Sequence, residues 1–115
     1  SAQGNNLDAQ VDPRFGRASG FVMVDTDTME FEYMENAQNM NAASGAGIQS
    51  AQNVGAKDVQ AVITGNCGPK AFASLSAAGI KVYIGAKGTV KEAVDKFNSG
   101  DLDESDSANV QGHWV

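Results

Sequence analysis

Val62-Ile63-Thr64-Gly65-Asn66-Cys67-Gly68-Pro69-Lys70-Ala71-Phe72 is the stretch on which the fold turns. An apolar, β-branched run reads as a buried strand, two glycines mark a turn, and Pro69 sits where a helix opens. Unpaired backbone N–H groups at that helix start would converge with the thiol of Cys67, the only cysteine, and with Lys70. Asn66, Cys67, Gly68 and Lys70 are therefore candidate contacts for an anion or a soft metal.

The neighbouring segments extend this unit. The spacing predicts a helix over 69–78 with Phe72 and Leu75 on one side, then a buried strand over 81–84. A right-handed crossover makes the strands at 59–64 and 81–84 parallel and adjacent or nearly so, with residues 66–70 at the carboxyl edge where open α/β sheets collect ligands. The last helix is the most completely specified. Thr89 and Glu92 have capping-box spacing, Val90, Ala93, Val94 and Phe97 form an apolar stripe, Glu92 and Lys96 can pair, and Gly100 stops it.

Upstream, a helix is predicted from about Ser44 to Val54, closed by Gly55. The Asn/Ala/Ser/Gly-rich run before it lacks apolar area and reads as a mobile loop. Residues 21–25 and 29–34 read as an antiparallel hairpin about Thr26-Asp27-Thr28, with Met29, Phe31 and Tyr33 on one face of the second strand. Ser1 to Asn6 looks like the loop after a strand, so a short β-segment is expected to be absent ahead of it.

With 115 residues, 11.9 kDa and 42% hydrophobic residues, the chain suits one α/β domain over 1–100 followed by an acidic tail over 101–115. The net charge of −6 excludes a broad basic field for nucleic acid, and four of the 14 acidic residues fall in the tail. A single cysteine forms no internal disulfide, and no long apolar segment suggests a membrane span, so a cytoplasmic location is the expectation.

Five blocks then align in order: Asp12-Pro13-Arg14-Phe15-Gly16-Arg17, Gly45-Ala46-Gly47-Ile48-Gln49, residues 63–71, residues 78–83 and Gly88-Thr89-Val90-Lys91-Glu92-Ala93. Together they resemble the dinitrogenase iron-molybdenum cofactor biosynthesis family. The resemblance implies a ribonuclease H-like α/β fold, with a mixed five-stranded sheet and helices on both faces. It implies non-enzymatic binding or carriage of a molybdenum-containing metal-sulfur cluster, with a cluster donor or acceptor protein as partner. Within the family the chain looks most like a small molybdenum- and copper-binding member, which implies a mixed Mo/Cu sulfide cluster. Many relatives carry His where this chain has Ser44, so coordination from that loop is not expected.

Each candidate residue has a functional and a structural reading. Cys67 is a natural soft ligand whose pKa a helix N-terminus would lower, or else a small buried filler. Arg14 and Arg17, bracketing Phe15-Gly16, could hold a sulfide-rich anion by charge and N–H contacts, or pair with Asp8, Asp12 or Asp25 while Phe15 fills the core. Met34 and Met40 are candidate soft contacts, and His113 a candidate copper ligand from the tail. A cluster that brings its own sulfides needs no protein valence, which leaves Cys67 to packing.

Two rival functions come from other classes. A nuclease needs convergent carboxylates around divalent ions, and Asp8, Asp12 and Asp25 show no such spacing. A phosphate-ligand-binding module or a protein adaptor in metallocluster assembly fits Gly65-Asn66-Cys67-Gly68 before a helix, although the P-loop pattern is absent.

Overall fold

The computed structural model describes residues 1–40, 42 and 44–109. Among these, five strands and four helices form a mixed α/β structure: β1 (Gly20–Val24), β2 (Phe31–Glu35), α1 (Ala37–Met40), α2 (Ala46–Gly55), β3 (Ala61–Ile63), α3 (Pro69–Ala77), β4 (Lys81–Tyr83), α4 (Val90–Asn98) and β5 (Glu104–Ser105). No described helix is long and apolar enough to cross a membrane.

The expected parallel pair is present, with Ala61, Val62 and Ile63 opposite Lys81, Val82 and Tyr83. β5 adds antiparallel to the outer side of β4. Residues 104 and 105, assigned to the acidic tail from sequence, thus complete the three-stranded sheet.

The single five-stranded sheet implied by the resemblance is instead two sheets, β1-β2 and β3-β4-β5. A cavity of about 730 Å³ separates them, lined by Phe21 to Val24 on one side and Ala61 to Ile63 on the other. At one end of it Ala2 exchanges backbone hydrogen bonds with Gly20 (2.9 and 3.2 Å), while the Ser1 nitrogen donates to the Ile63 carbonyl (3.0 Å). These two residues tie the sheets together.

Alternating strand residues serve opposite layers, as the two-residue period of a strand requires. Phe21, Val62 and Val82 share a core with Ala51 and Val54 of α2 and Ala71 and Leu75 of α3. On the other side Val22 and Val24 pack with Val90 and Val94 of α4. Ile63 joins Ala93, and Tyr83 meets Phe97 edge-on with ring centroids 5.0 Å apart.

In α4 the capping box forms in full. Thr89 Oγ1 accepts the Glu92 N–H (3.1 Å) and Glu92 Oε1 accepts the Thr89 N–H (2.9 Å). Because that carboxylate is engaged by the cap, the i,i+4 salt bridge of the helix is Lys91–Asp95 at 2.9 Å rather than the expected Glu92–Lys96. The second strand also departs from its pattern. Met29 takes a left-handed conformation (φ 62°) and closes the turn by donating to Asp25, so β2 begins at Phe31, and Phe31 and Tyr33 stay exposed while Met34 packs on the core.

Leu75 is fully buried at the centre of the main core. Its replacement by Ala should cost about 2–5 kcal/mol. Thr89→Ala, which removes only a cap, should cost about 1 kcal/mol. Urea denaturation of the two variants checks the ordering.

Candidate functional site

Residues 13–17 lie between the start of α2 and the turn that leads into α3. On one side the backbone of Gly16 approaches that of Gly47, and a Cβ on Gly16 would stand 2.7 Å from the Gly47 Cα. On the other side Gly65 presses on Pro13, where a Cβ would stand 2.8 Å from the Pro13 Cα. Only glycine permits both approaches. The Asn66 N–H and side-chain amide both donate to the Pro13 carbonyl (2.8 and 3.1 Å), and the Phe15 N–H donates to the Asn66 carbonyl (3.2 Å). Arg14 therefore stands beside Asn66, four residues ahead of Lys70.

A buried polar knot holds this loop from beneath. Asn36 donates to the carbonyls of Gly16 and Ala18 (3.2 and 3.0 Å), Ser50 Oγ donates to the Gly16 carbonyl (2.8 Å), and Asn39 donates to Asn36 Oδ1 (3.0 Å). The Asn-rich stretch read as a mobile loop thus contains α1 and two buried side chains, Asn36 and Asn39. Composition hid this, because a buried amide is stabilised by distant carbonyls rather than by apolar area.

The arginines divide. Arg17 Nη1 donates to the Ala42 carbonyl (2.6 Å) and more weakly to that of Met40 (3.4 Å), so it pins the segment ahead of α2. Arg14 is 42% exposed at its side chain, and its Nε stands 4.0 Å from Asp12. Asp12 is buried and accepts the backbone N–H groups of Arg14 (3.0 Å) and Ser19 (3.3 Å), which leaves the Arg14 guanidinium loosely paired. Phe15 is fully buried and packs against Phe21 with centroids 5.2 Å apart.

Both helices that begin here lack side-chain caps and first-turn acids. The N-cap of α2 is Gly45 and that of α3 is Gly68, neither with a side-chain oxygen to offer, whereas α4 caps itself with Thr89 and Glu92. The two starts are in contact, since a Cβ on Gly47 would lie 3.1 Å from that of Ala71. Their dipoles and first-turn N–H groups favour negative charge. Lys70, in the first turn of α3, is exposed.

Cys67 is fully buried in the main core. Burial pushes its thiol up to about 12, opposite to the lowering expected of a helix terminus, because desolvation of a thiolate outweighs the dipole. Its Sγ lies 3.7 Å from the Gly68 carbonyl. No group of three or more His, Cys, Asp or Glu among the described residues is placed to hold a metal ion. Met40 ends α1 half-buried, and Met34 packs on the core rather than at the site. His113 lies outside the described residues.

One contact had no sequence signal. Asn109, beyond the acidic run, accepts the Cys67 N–H at its Oδ1 (2.8 Å), donates its own N–H to the Cys67 carbonyl (3.1 Å) and donates its side-chain amide to Asn66 Oδ1 (2.8 Å). The cavity between the sheets is a separate feature. None of Arg14, Arg17, Asn66, Cys67 or Lys70 lines it, and its polar rim carries Asp25, Asp27, Glu30, Glu32 and Asp58 against Lys57.

Comparison with known proteins gives the family. The sequence profile described as dinitrogenase iron-molybdenum cofactor matches residues 1–100, and the chain belongs to that family. The fold is similar to that of the apo form of the orange protein from Desulfovibrio gigas, with a TM-score of 0.92 and 44% identity over 95% of this chain and 92% of that one. It is also similar to a putative NifB protein from Thermotoga, with a TM-score of 0.82 and 38% identity over 96% and 94% of the two chains. An uncharacterized protein of Methanocaldococcus jannaschii is 31% identical over 97 residues, covering 83% of this chain and 82% of the relative.

Two tests follow from the geometry. Gly16→Ala forces backbone apart and should lower stability by roughly 1–3 kcal/mol, read as a fall in thermal midpoint. Iodoacetamide at pH 8 should leave Cys67 of the native protein unmodified while alkylating it readily in denaturant. Because the native thiol titrates near 12 and the unfolded one near 9, its contribution to stability is complete below pH 9 and is lost as the pH rises toward 12.

Proposed function

We propose that this protein binds and carries a preformed, anionic molybdenum-containing metal-sulfur cluster, a mixed Mo/Cu sulfide, and performs no chemical turnover on it. The observation that carries the reading is the pair of uncapped, acid-free helix starts of α2 and α3 around the Arg14 loop, next to Lys70. Family membership and the likeness to the orange protein point to the same class of cargo. On this reading the fold is a ribonuclease H-like one turned to holding rather than cutting, and a donor or acceptor protein exchanges the cluster.

The donor set suits noncovalent holding. Arg14, Lys70 and the backbone N–H groups at the two helix starts would surround terminal sulfides with charge and weak N–H···S contacts, while Asn66 and Gly68 shape the turn. Arg17 serves by holding the carbonyls of Met40 and Ala42, which sets Met40 at the site's edge. Cys67 contributes packing, since a protonated, buried thiol is a poor metal ligand. The cluster's own sulfides satisfy its metals.

Reconstitution with tetrathiomolybdate and copper(I), followed by visible absorption and metal analysis, tests this. Uptake should weaken as salt rises, and Arg14→Ala or Lys70→Ala should each reduce it by about two- to tenfold without unfolding. Cys67→Ser should keep most of the bound metal with similar bands. A folded but metal-free Cys67→Ser protein, together with salt-independent uptake, would establish thiolate ligation instead. Saturable competition by inorganic phosphate at equal affinity would favour a phosphate-binding module.

A further inference from the structure

The acidic segment after α4 returns to the molecule and ends on the candidate site. β5 pairs with β4, and four residues later Asn109 takes both backbone polar groups of Cys67 and the side-chain carbonyl of Asn66. The turn does not need these contacts to exist. Asn66 is already held by two hydrogen bonds to Pro13 and one from Phe15. What Asn109 does is remove a donor: its Oδ1 sits on the N–H of Cys67, the residue that precedes the N-cap of α3.

We propose that residues 104–109 form an autoinhibitory strap over this site, in which the Asn109 carboxamide takes the place of an anionic ligand at the Cys67 N–H, so that strap seating and cluster loading exclude each other. The inference rests on the anion-binding reading above. Charge supports the direction. The strap and its approach carry Asp101, Asp103, Glu104 and Asp106, all exposed, and a seated segment with four acids adds negative potential that opposes a second negative body. The strap is also built to open. β5 has two residues, the segment's only partly buried side chains are Leu102, Ser105 and Ala108, and its hydrogen bond to Asn66 is solvent-exposed. Elements with so few buried apolar contacts open at low free energy.

Two substitutions at Asn109 separate competition from bracing. Asn109→Ala frees the Cys67 N–H, and tetrathiomolybdate should bind about three- to tenfold more tightly than to the unmodified chain, the worth of one exchanged hydrogen bond. Asn109→Asp retains the acceptor, adds a negative charge and should bind more weakly. Amide hydrogen exchange at Cys67 should be faster in Asn109→Ala than in the unmodified chain, and should confirm release of the contact. If Asn109→Ala binds tetrathiomolybdate equally or more weakly while the unmodified chain binds it, Asn109 braces the site and the strap proposal is overturned, with the anion reading intact. If neither the unmodified chain nor any variant binds, the anion reading fails and the strap falls with it.

Discussion

The contact between the backbones of Gly16 and Gly47 is the constraint from which the rest of the arrangement follows. No side chain fits between them, so residues 13–17 are held directly against the first turn of α2. The same loop is pressed by Gly65 on its other flank, and α2 meets α3 through Gly47 and Ala71. A loop with two arginines is thereby wedged between two helix starts. The wedge is fixed internally by Asn36 and Ser50, whose hydrogen bonds to the Gly16 carbonyl are buried and fully satisfied. Buried polar groups of this kind are costly to leave unpaired, so they select one loop position rather than a family of them.

Electrostatics then distinguishes the helices of the two layers. In α4 the capping box satisfies the N–H groups of Thr89 and Glu92, the carbonyls of Ala9 and Leu7 accept those of Val90 and Lys91, and an acid in its first turn answers the dipole. α2 and α3 do neither, and the described residues leave their first turns without a side-chain cap. The difference lies in the cap position, Thr89 against Gly45 and Gly68. A helix start without a side-chain cap or a first-turn acid favours a negative ligand. The cavity between the sheets offers volume but an acidic rim, which makes it unsuited to a negative guest.

Cys67 shows how position within a turn outweighs residue type. It stands one residue before an N-cap, where a thiolate would be favoured by the dipole, yet the side chain turns into the core among Phe15, Ala71 and Leu75. Desolvation raises its pKa and the thiol stays protonated. The backbone of the same residue faces the other way and is engaged by Asn109. Side chain and main chain of one residue thus do separate work, packing on one side and hydrogen bonding on the other.

The sequence by itself determined the strand-turn-helix unit at 61–77, the parallel partner at 81–83, the capping box of α4 and the family. Each of these is written in periodicity, capping or turn chemistry within about ten residues, where local physics decides. It also offered Arg14, Arg17, Met40, Asn66, Cys67, Gly68 and Lys70 as candidate contacts, of which the structure sets Arg14 beside Asn66 and buries Cys67. Tertiary structure alone decided that Arg17 pins Met40 and Ala42, that Asn36 and Asn39 are buried, that the strands divide into two sheets and that Asn109 lies on Cys67. The reason is range. Gly16 and Ser50, or Cys67 and Asn109, are separated by 34 and 42 residues, and a polar side chain carries no mark of which distant carbonyl or amide will satisfy it.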